Sequence, residues 1–458
     1  MSSGRNLVLS FHGAAGTVTG SRFLLRDGQR QRLVDCGLFQ GYKSLRLRNW
    51  AHPGFDAKAL DDVLLTHAHL DHSGYLPVLS RQGYAGRIHC TAATRDLCRH
   101  LLPDAGFIQE KDAARANRYG YTRHEPARPL YTQAEAVACL EQFQPHAFHS
   151  PVRLDETCSA TFLRAGHIMG AASILIQWQG RRILFSGDLG QSVSATMAPP
   201  EPPPAADYLI VESTYGNRNR IGQDPETRLG DVIQATVARG GTVVIPAFAV
   251  GRTQLLLHHL CRLQHRGAIP RIPVYLDSPL AINATEVFAD HPDDHRLSRA
   301  EAEAACALPR YVRDPEESKR LDFDPRPKII IAGSGMATGG RVLHHLKVYL
   351  GDVRHTVLFA GYQSGGTRGD RLVQGAHSVR IHGRDWPVRA AVENLDMLSA
   401  HADSDELMAW LTRCPRPPRQ VFVVHGEAES ADFLAYRIAT ELGWNTLVPQ
   451  PDQSFALG

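Results

Sequence analysis

The stretch Thr66-His67-Ala68-His69-Leu70-Asp71-His72 offers three imidazoles and a carboxylate in one short segment. The run before it, Asp61-Asp62-Val63-Leu64-Leu65, reads as a strand over residues 61–66. A short helix is expected from near His72 towards Leu79. His67 and His69 are two apart, so an extended backbone puts both rings on one side. Asp71 and His72 then fall in the turn after the strand. Imidazole nitrogens with a carboxylate oxygen suit zinc. Four ligands so close together crowd a single ion, so the spacing favours two.

Two ions need further ligands. His167 lies in Gly166-His167 between two strand-like runs, Asp188 ends the strand of residues 182–186, and His425 ends that of residues 420–424. Each alone is an ordinary loop or turn residue. Together they are ligand types gathered at strand ends, where sites of layered α/β proteins form.

The chain has 458 residues, which implies two domains or one domain with a large insertion. With 43% hydrophobic and 21% charged residues it has a globular composition. The net charge of +3 neither requires nor excludes a polyanionic partner, which would need a local basic patch. Residues 1–7 hold no signal-peptide core, and no apolar run reaches membrane-spanning length. A cytoplasmic protein without a membrane partner is expected. The eight cysteines form no CxxC pair and read as reduced, buried thiols.

Strand-like runs at residues 7–11, 21–26 and 31–34, with Asp27-Gly28 as a hairpin signal, open the chain. Residues 93–145 read as mostly helical and polar. Alternation returns at residues 160–163, 172–178 and 182–186. Prolines over residues 198–204 then form a connector. Beyond it, residues 208–211, 242–245, 274–276, 328–332 and 356–360 are continuous apolar runs with helical stretches at 253–265 and 340–350. Strands buried on both faces, alternating with helices, form a doubly wound parallel-sheet unit. It is expected over about residues 209–390. Helix, strand and helix follow at residues 405–412, 420–424 and 431–442.

The motifs match a known pattern. Asp35 in LVDCG, the HAHLDH run, His167 in AGHIMG and Asp188 in SGDLG closely resemble the metallo-β-lactamase fold. Glu212 in VESTYG, the IPAFAVGRTQ stretch, Ser334-Gly335-Met336 in AGSGMATGG, His401 in LSAHADSDEL and His425 in VVHGE resemble its nucleic-acid-processing β-CASP branch. That branch includes bacterial ribonucleases, ribonuclease J and the endonuclease subunit of the cleavage and polyadenylation factor. The resemblance covers nearly the whole chain. It implies an α/β fold: a four-layer αββα sandwich at residues 1–208 and 393–458, with a β-CASP domain inserted at 209–392. The sandwich would resume near His401 and finish with the C-terminal helix.

The resemblance also implies roles. His67, His69 and His167 would hold one zinc, and Asp71, His72 and His425 the other. Asp188 would bridge the two ions, and Asp35 would orient ligands without binding metal. Two zincs per chain would activate a hydroxide between them, and Asp71 belongs to that catalytic set. His401 would be the general acid, oriented by Glu212. Ser334 and Gly335, in a Gly-rich turn before a helix, could grip phosphate, as could Arg252. The charged residues 111–128 either line a substrate path or form a solvated face. The implied activity is hydrolysis of phosphodiester bonds in single-stranded RNA. RNA is favoured over DNA because His425 stands where the DNA-repair members typically carry Val. The alternatives are a DNA nuclease, a hydrolase of small esters or thioesters, and a non-catalytic RNA-binding subunit. The C-terminal helix and the surface of the inserted unit are two places where a homodimer could pair.

Overall fold

A computed structural model describes residues 7–120, 122, 124–220 and 224–458. Residues 1–6, which the signal-peptide reading concerns, and residues 121 and 123 of the charged segment lie outside the described residues. The chain forms two compact units. One comprises Met1–Val193, Pro199–Asn219 and His401–Gly458, the other Ser194–Ala198 and Arg220–Ala400.

The first unit is built on two seven-stranded sheets. One runs Ser454–Leu457, Leu7–Phe11, Phe23–Arg26, Gln31–Val34, Asp62–Leu64, Arg87–Thr91, Phe143–His146. The other runs Thr446–Leu447, Gln420–Val424, Tyr208–Glu212, Arg181–Phe185, Ala172–Trp178, Cys158–Arg164, Val152–Arg153. Their inner faces share one core: Leu7, Leu9, Phe11 and Phe23 from the first meet Ile174, Ile176, Phe185 and Phe422 from the second. The Phe11 and Phe422 rings meet at 5.2 Å between centroids, tilted by 47°, and those of Phe23 and Phe185 at 5.8 Å, tilted by 36°. Each such buried ring contributes about 1.5–3 kcal/mol. Helix Ala92–Tyr119 covers the first sheet and helix Ala428–Glu441 the second, which completes an αββα sandwich.

The second unit has a six-stranded sheet in the order Arg310–Tyr311, Val274–Asp277, Ile329–Ala332, Val243–Pro246, Thr356–Phe359, Ala391–Asn394. All its pairings are parallel. Ile329 and Ile331 pack with Leu256 and Leu260 on one face, while Ile330 and Ala332 pack with Leu343 and Leu346 on the other. Burial on both faces is why these strands read as continuous apolar runs.

Three expectations are corrected. The run of residues 208–211, expected to open the inserted unit, lies in the strand Tyr208–Glu212, which pairs in parallel with Arg181–Phe185 and Gln420–Val424 of the sandwich. A run buried on both faces looks the same in either parallel sheet. The chain does not finish with the helix Ala428–Glu441, because Ser454–Leu457 follows and pairs antiparallel with Leu7–Phe11. The single helix expected after His72 is two short ones, Leu70–Ser73 and Leu76–Arg81, divided at Gly74-Tyr75.

Candidate metal centre

The sandwich delivers its chemistry at the carboxyl ends of its strands, where helix and loop connections leave a crevice. Asp35 directly follows Gln31–Val34, His67 comes soon after Asp62–Leu64, and His167 after Cys158–Arg164. Asp188 follows Arg181–Phe185, Glu212 is the last residue of its strand, and His425 directly follows Gln420–Val424. Backbone bonds lace these loops together. Gly190 N donates to Ala165 O at 2.8 Å and Ala402 N to Leu189 O at 2.7 Å. Asp35 and His425 hold left-handed φ values of 59° and 50°. Such strain costs about 1–3 kcal/mol and persists where the surroundings over-determine it.

Two groups of donor atoms form. In the first, His69 Nδ1 lies 3.2 Å from both His67 Nε2 and His167 Nε2. Asp188 Oδ2 faces this group, 3.5 Å from His67 Nε2 and 3.6 Å from His167 Nε2. In the second, His425 Nε2 lies 3.0 Å from His72 Nε2 and 3.3 Å from Asp71 Oδ2. Asp188 Oδ1 faces this one, 3.2 Å from His72 Nε2. Each group could hold a metal ion, with one Asp188 oxygen turned to each.

The surrounding hydrogen bonds aim the lone pairs inward. Asp35 Oδ2 accepts from Thr66 Oγ1 at 2.9 Å and lies 2.8 Å from His72 Nδ1, while its Oδ1 accepts from Thr66 N at 2.8 Å. Thr66 Oγ1 is also 3.1 Å from His67 Nδ1. Since that hydroxyl's proton goes to Asp35, it accepts from the ring. Thr214 Oγ1 donates to His425 O and sits 3.1 Å from His425 Nδ1, so it accepts there too. The Nε2 atoms of His67 and His425 then carry lone pairs that face other lone-pair atoms in a buried space, and Nε2 of His72, fixed through Nδ1 by Asp35, turns to the same space. A cation among them resolves that opposition, so the residues fit metal binding.

Electrostatics agree. Burial, helped by the neighbouring rings, holds His67 and His167 well below the ordinary histidine value and pushes His69 down to about 4. Neutral imidazole is the ligand form. Burial works against ionised Asp188, yet the histidines around it, His425 first, hold its carboxyl well below the usual range. At His72 burial is outweighed by the Asp188 and Asp35 carboxylates, which raise its proton affinity. The same negative field attracts a dication.

Beside the first group, His401 Nδ1 lies 3.2 Å from both oxygens of Glu212, which is 1% exposed. Glu212 is fixed by Leu189 N at 2.6 Å and Thr214 N at 3.3 Å. Burial would lower the His401 value, but the Glu212 charge and hydrogen bond raise it.

All seven candidate ligands, with Asp35, Glu212 and His401, therefore come together in the first unit. Ser334, Gly335 and Arg252 belong to the second. There Ser334 Oγ takes the amides of Thr338 at 3.0 Å and Gly339 at 3.2 Å, and a Cβ on Gly335 would strike the Phe248 ring at 2.6 Å. This turn is braced by its own side chain. Arg252 is buried at the start of helix Arg252–His265, against Gly361. The sequence reading missed Thr66 and Thr214, whose hydroxyls set the tautomers of His67 and His425. Thr66 lies inside the quoted stretch, but a hydroxyl beside a ligand has no spacing signature.

The family model for the metallo-beta-lactamase superfamily matches residues 16–230, and that for the Beta-Casp domain matches residues 253–372. The Zn-dependent metallo-hydrolase RNA specificity domain matches residues 385–449. A ribonuclease of Thermus thermophilus is 39% identical, over 91% of this chain and 92% of its own length. An RNase J-like protein of Methanocaldococcus jannaschii is 30% identical, over 97% and 98%. The transcription termination factor FttA of Methanosarcina mazei is 31% identical, over 94% of this chain and 68% of its own. A crystal structure of a protein of unknown function from Enterococcus faecalis shares the fold, with a TM-score of 0.54 at 13% identity over 99% of this chain and 100% of that one. The chain belongs to the β-CASP branch of the metallo-β-lactamase superfamily.

Proposed function

We propose that this protein is a zinc-dependent ribonuclease that hydrolyses phosphodiester bonds of single-stranded RNA. The observation that carries the reading is Asp188, whose two oxygens face separate ligand groups, with the His401–Glu212 pair alongside. Two zinc ions, when bound, supply an activated water and offset negative charge on the phosphate. His67, His69 and His167 would hold one, Asp71, His72 and His425 the other, and Asp188 both. Glu212 engages Nδ1 of His401 and favours its protonated form. Nε2 is then the atom that gives its proton to the ribose oxygen as the P–O bond breaks. The matched RNA specificity domain and the ribonuclease names of relatives support RNA as the substrate.

The test is cleavage of end-labelled single-stranded RNA against DNA of the same sequence, with a thioester panel alongside. Faster RNA cleavage that chelator abolishes and zinc restores is expected. Equal or reversed preference for DNA overturns the RNA assignment, and turnover of thioesters alone overturns the nuclease.

A further inference from the structure

The surface just after Asp35 carries chemistry that the metal centre does not use. Helix Lys43–Leu47 buries no residue, and the turn Arg48–Trp50 buries only Asn49. Tyr42 is 52% exposed and Trp50 59%. Lys43 and Arg46 are exposed beside them. From residue 36 to residue 55 there is no carboxylate side chain, and Asp452, which reaches this segment from the C-terminal end, lies 3.9 Å from Arg48. Among the described residues neither Lys43 nor Arg46 makes an ion pair.

This patch is firmly seated. The Asn49 side chain accepts from Phe39 N at 2.9 Å and donates to Phe39 O at 2.8 Å. The Arg48 guanidinium lies over the Phe39 ring at 4.2 Å and donates to His12 O at 3.4 Å. Thr19 Oγ1 donates to Leu38 O at 2.8 Å. The same loop between His12 and Gly20 gives Ala14 O to His425 N at 2.7 Å. One loop thus touches both the patch and a metal-site histidine within a single unit.

Exposed aromatic rings interleaved with unpaired cations are the surface on which bases stack and a phosphate backbone is neutralised. A second copy of this chain is a poor occupant, because symmetric pairing would bring Lys43 and Arg46 against their own copies. We propose that Tyr42, Lys43, Arg46 and Trp50 form an accessory site for single-stranded RNA outside the cleavage centre. Bases stack on Tyr42 and Trp50, and Lys43 and Arg46 contact phosphates. The site rests on the ribonuclease reading and adds to it a second hold on the substrate.

The experiment compares the zinc-loaded full chain with Trp50→Ala and with the double variant Lys43→Glu/Arg46→Glu. Substrates are a labelled RNA of about 20 nucleotides and one of about 6, since a stacking groove occupies roughly 4–16 nucleotides. Both variants are expected to raise KM for the long RNA about tenfold, with kcat unchanged and the short RNA unaffected. The charge variant should also show a shallower salt dependence. The substituted side chains are exposed, and thermal melting checks that each variant folds; if one does not, the other decides. Wild-type kinetics on the long RNA in both variants overturn the site. So does loss of a dimer with KM unchanged, which would make the patch a self-association surface. A wild-type enzyme that cleaves neither RNA overturns the ribonuclease reading itself.

Discussion

The Asp35 carboxylate lies 2.8 Å from His72 Nδ1, and both groups are almost fully buried. This contact fixes which nitrogen of His72 points at Asp188 and His425. Asp35→Asn keeps the volume but loses the charge and can present an N–H to the ring. Metal affinity is expected to fall about 10–100-fold, the usual cost of losing a partner behind a ligand. Titration of zinc into the chelator-treated protein checks this. Unchanged affinity would mean that His72 is oriented by something else.

Gly37 holds the same loop from outside. A Cβ there would stand 1.6 Å from Asp71 O and 2.8 Å from His72 N, both backbone atoms. The Arg22 guanidinium clamps Gly37 O at 2.8 and 3.0 Å, so the segment has little room to retreat. Gly37→Ala should displace Asp71 and His72. We expect loss of metal from that half and a lower melting temperature, read by metal analysis and calorimetry. Retention of both ions at wild-type stability would show that the loop yields at little cost.

The sequence made the site more legible than its frame. Strand ends carrying His67, Asp188 and His425 stood out because ligand chemistry breaks off an apolar run at each. The assignment of ligands to two ions came from the family resemblance, since no spacing links His72 to His425. The run of residues 208–211 does not reveal its sheet, because periodicity reports burial on both faces, not the identity of the neighbour. Arg87–Thr91 was missed because its sequence, RIHCT, lacks the usual apolar run. His89 faces His146 at 2.9 Å there, a polar contact that only the pairing with Phe143–His146 creates. Gly37 was read as part of a motif, and its need for a bare Cα shows only when Asp71 is packed against it.

His401 and Asp188 should separate under mutation. His401→Ala removes the proposed proton donor but none of the seven candidate ligand side chains. It should keep its metal and lose about 10²–10⁴-fold in kcat. Asp188→Ala removes the carboxylate that faces both groups and should empty the site. Mass spectrometry of metal content beside RNA cleavage distinguishes them. Metal loss in His401→Ala would make that residue a ligand, and two retained ions in Asp188→Ala would remove its bridging role.

The second unit should carry its own pH dependence, through His345. Its ring is fully buried, with Nε2 2.7 Å from Asp277 Oδ2 and Nδ1 2.7 Å from Asp322 Oδ1. Burial alone would lower its value, but the two carboxylates outweigh this and push it up to about 9. The folded value is thus raised above the unfolded value of about 6.5. Stabilisation is then fully present below about pH 6.5 and is lost as pH rises through about 9. A shift of that size corresponds to roughly 3 kcal/mol. Urea unfolding between about pH 6 and pH 10 should show this decline in the wild type. In His345→Gln, which cannot ionise, stability should be lower at pH 6 and the slope above pH 7 shallower. Equal slopes in the two proteins would mean that His345 takes up no proton on folding and that Asp277 is balanced by Arg341 and Ser318 alone.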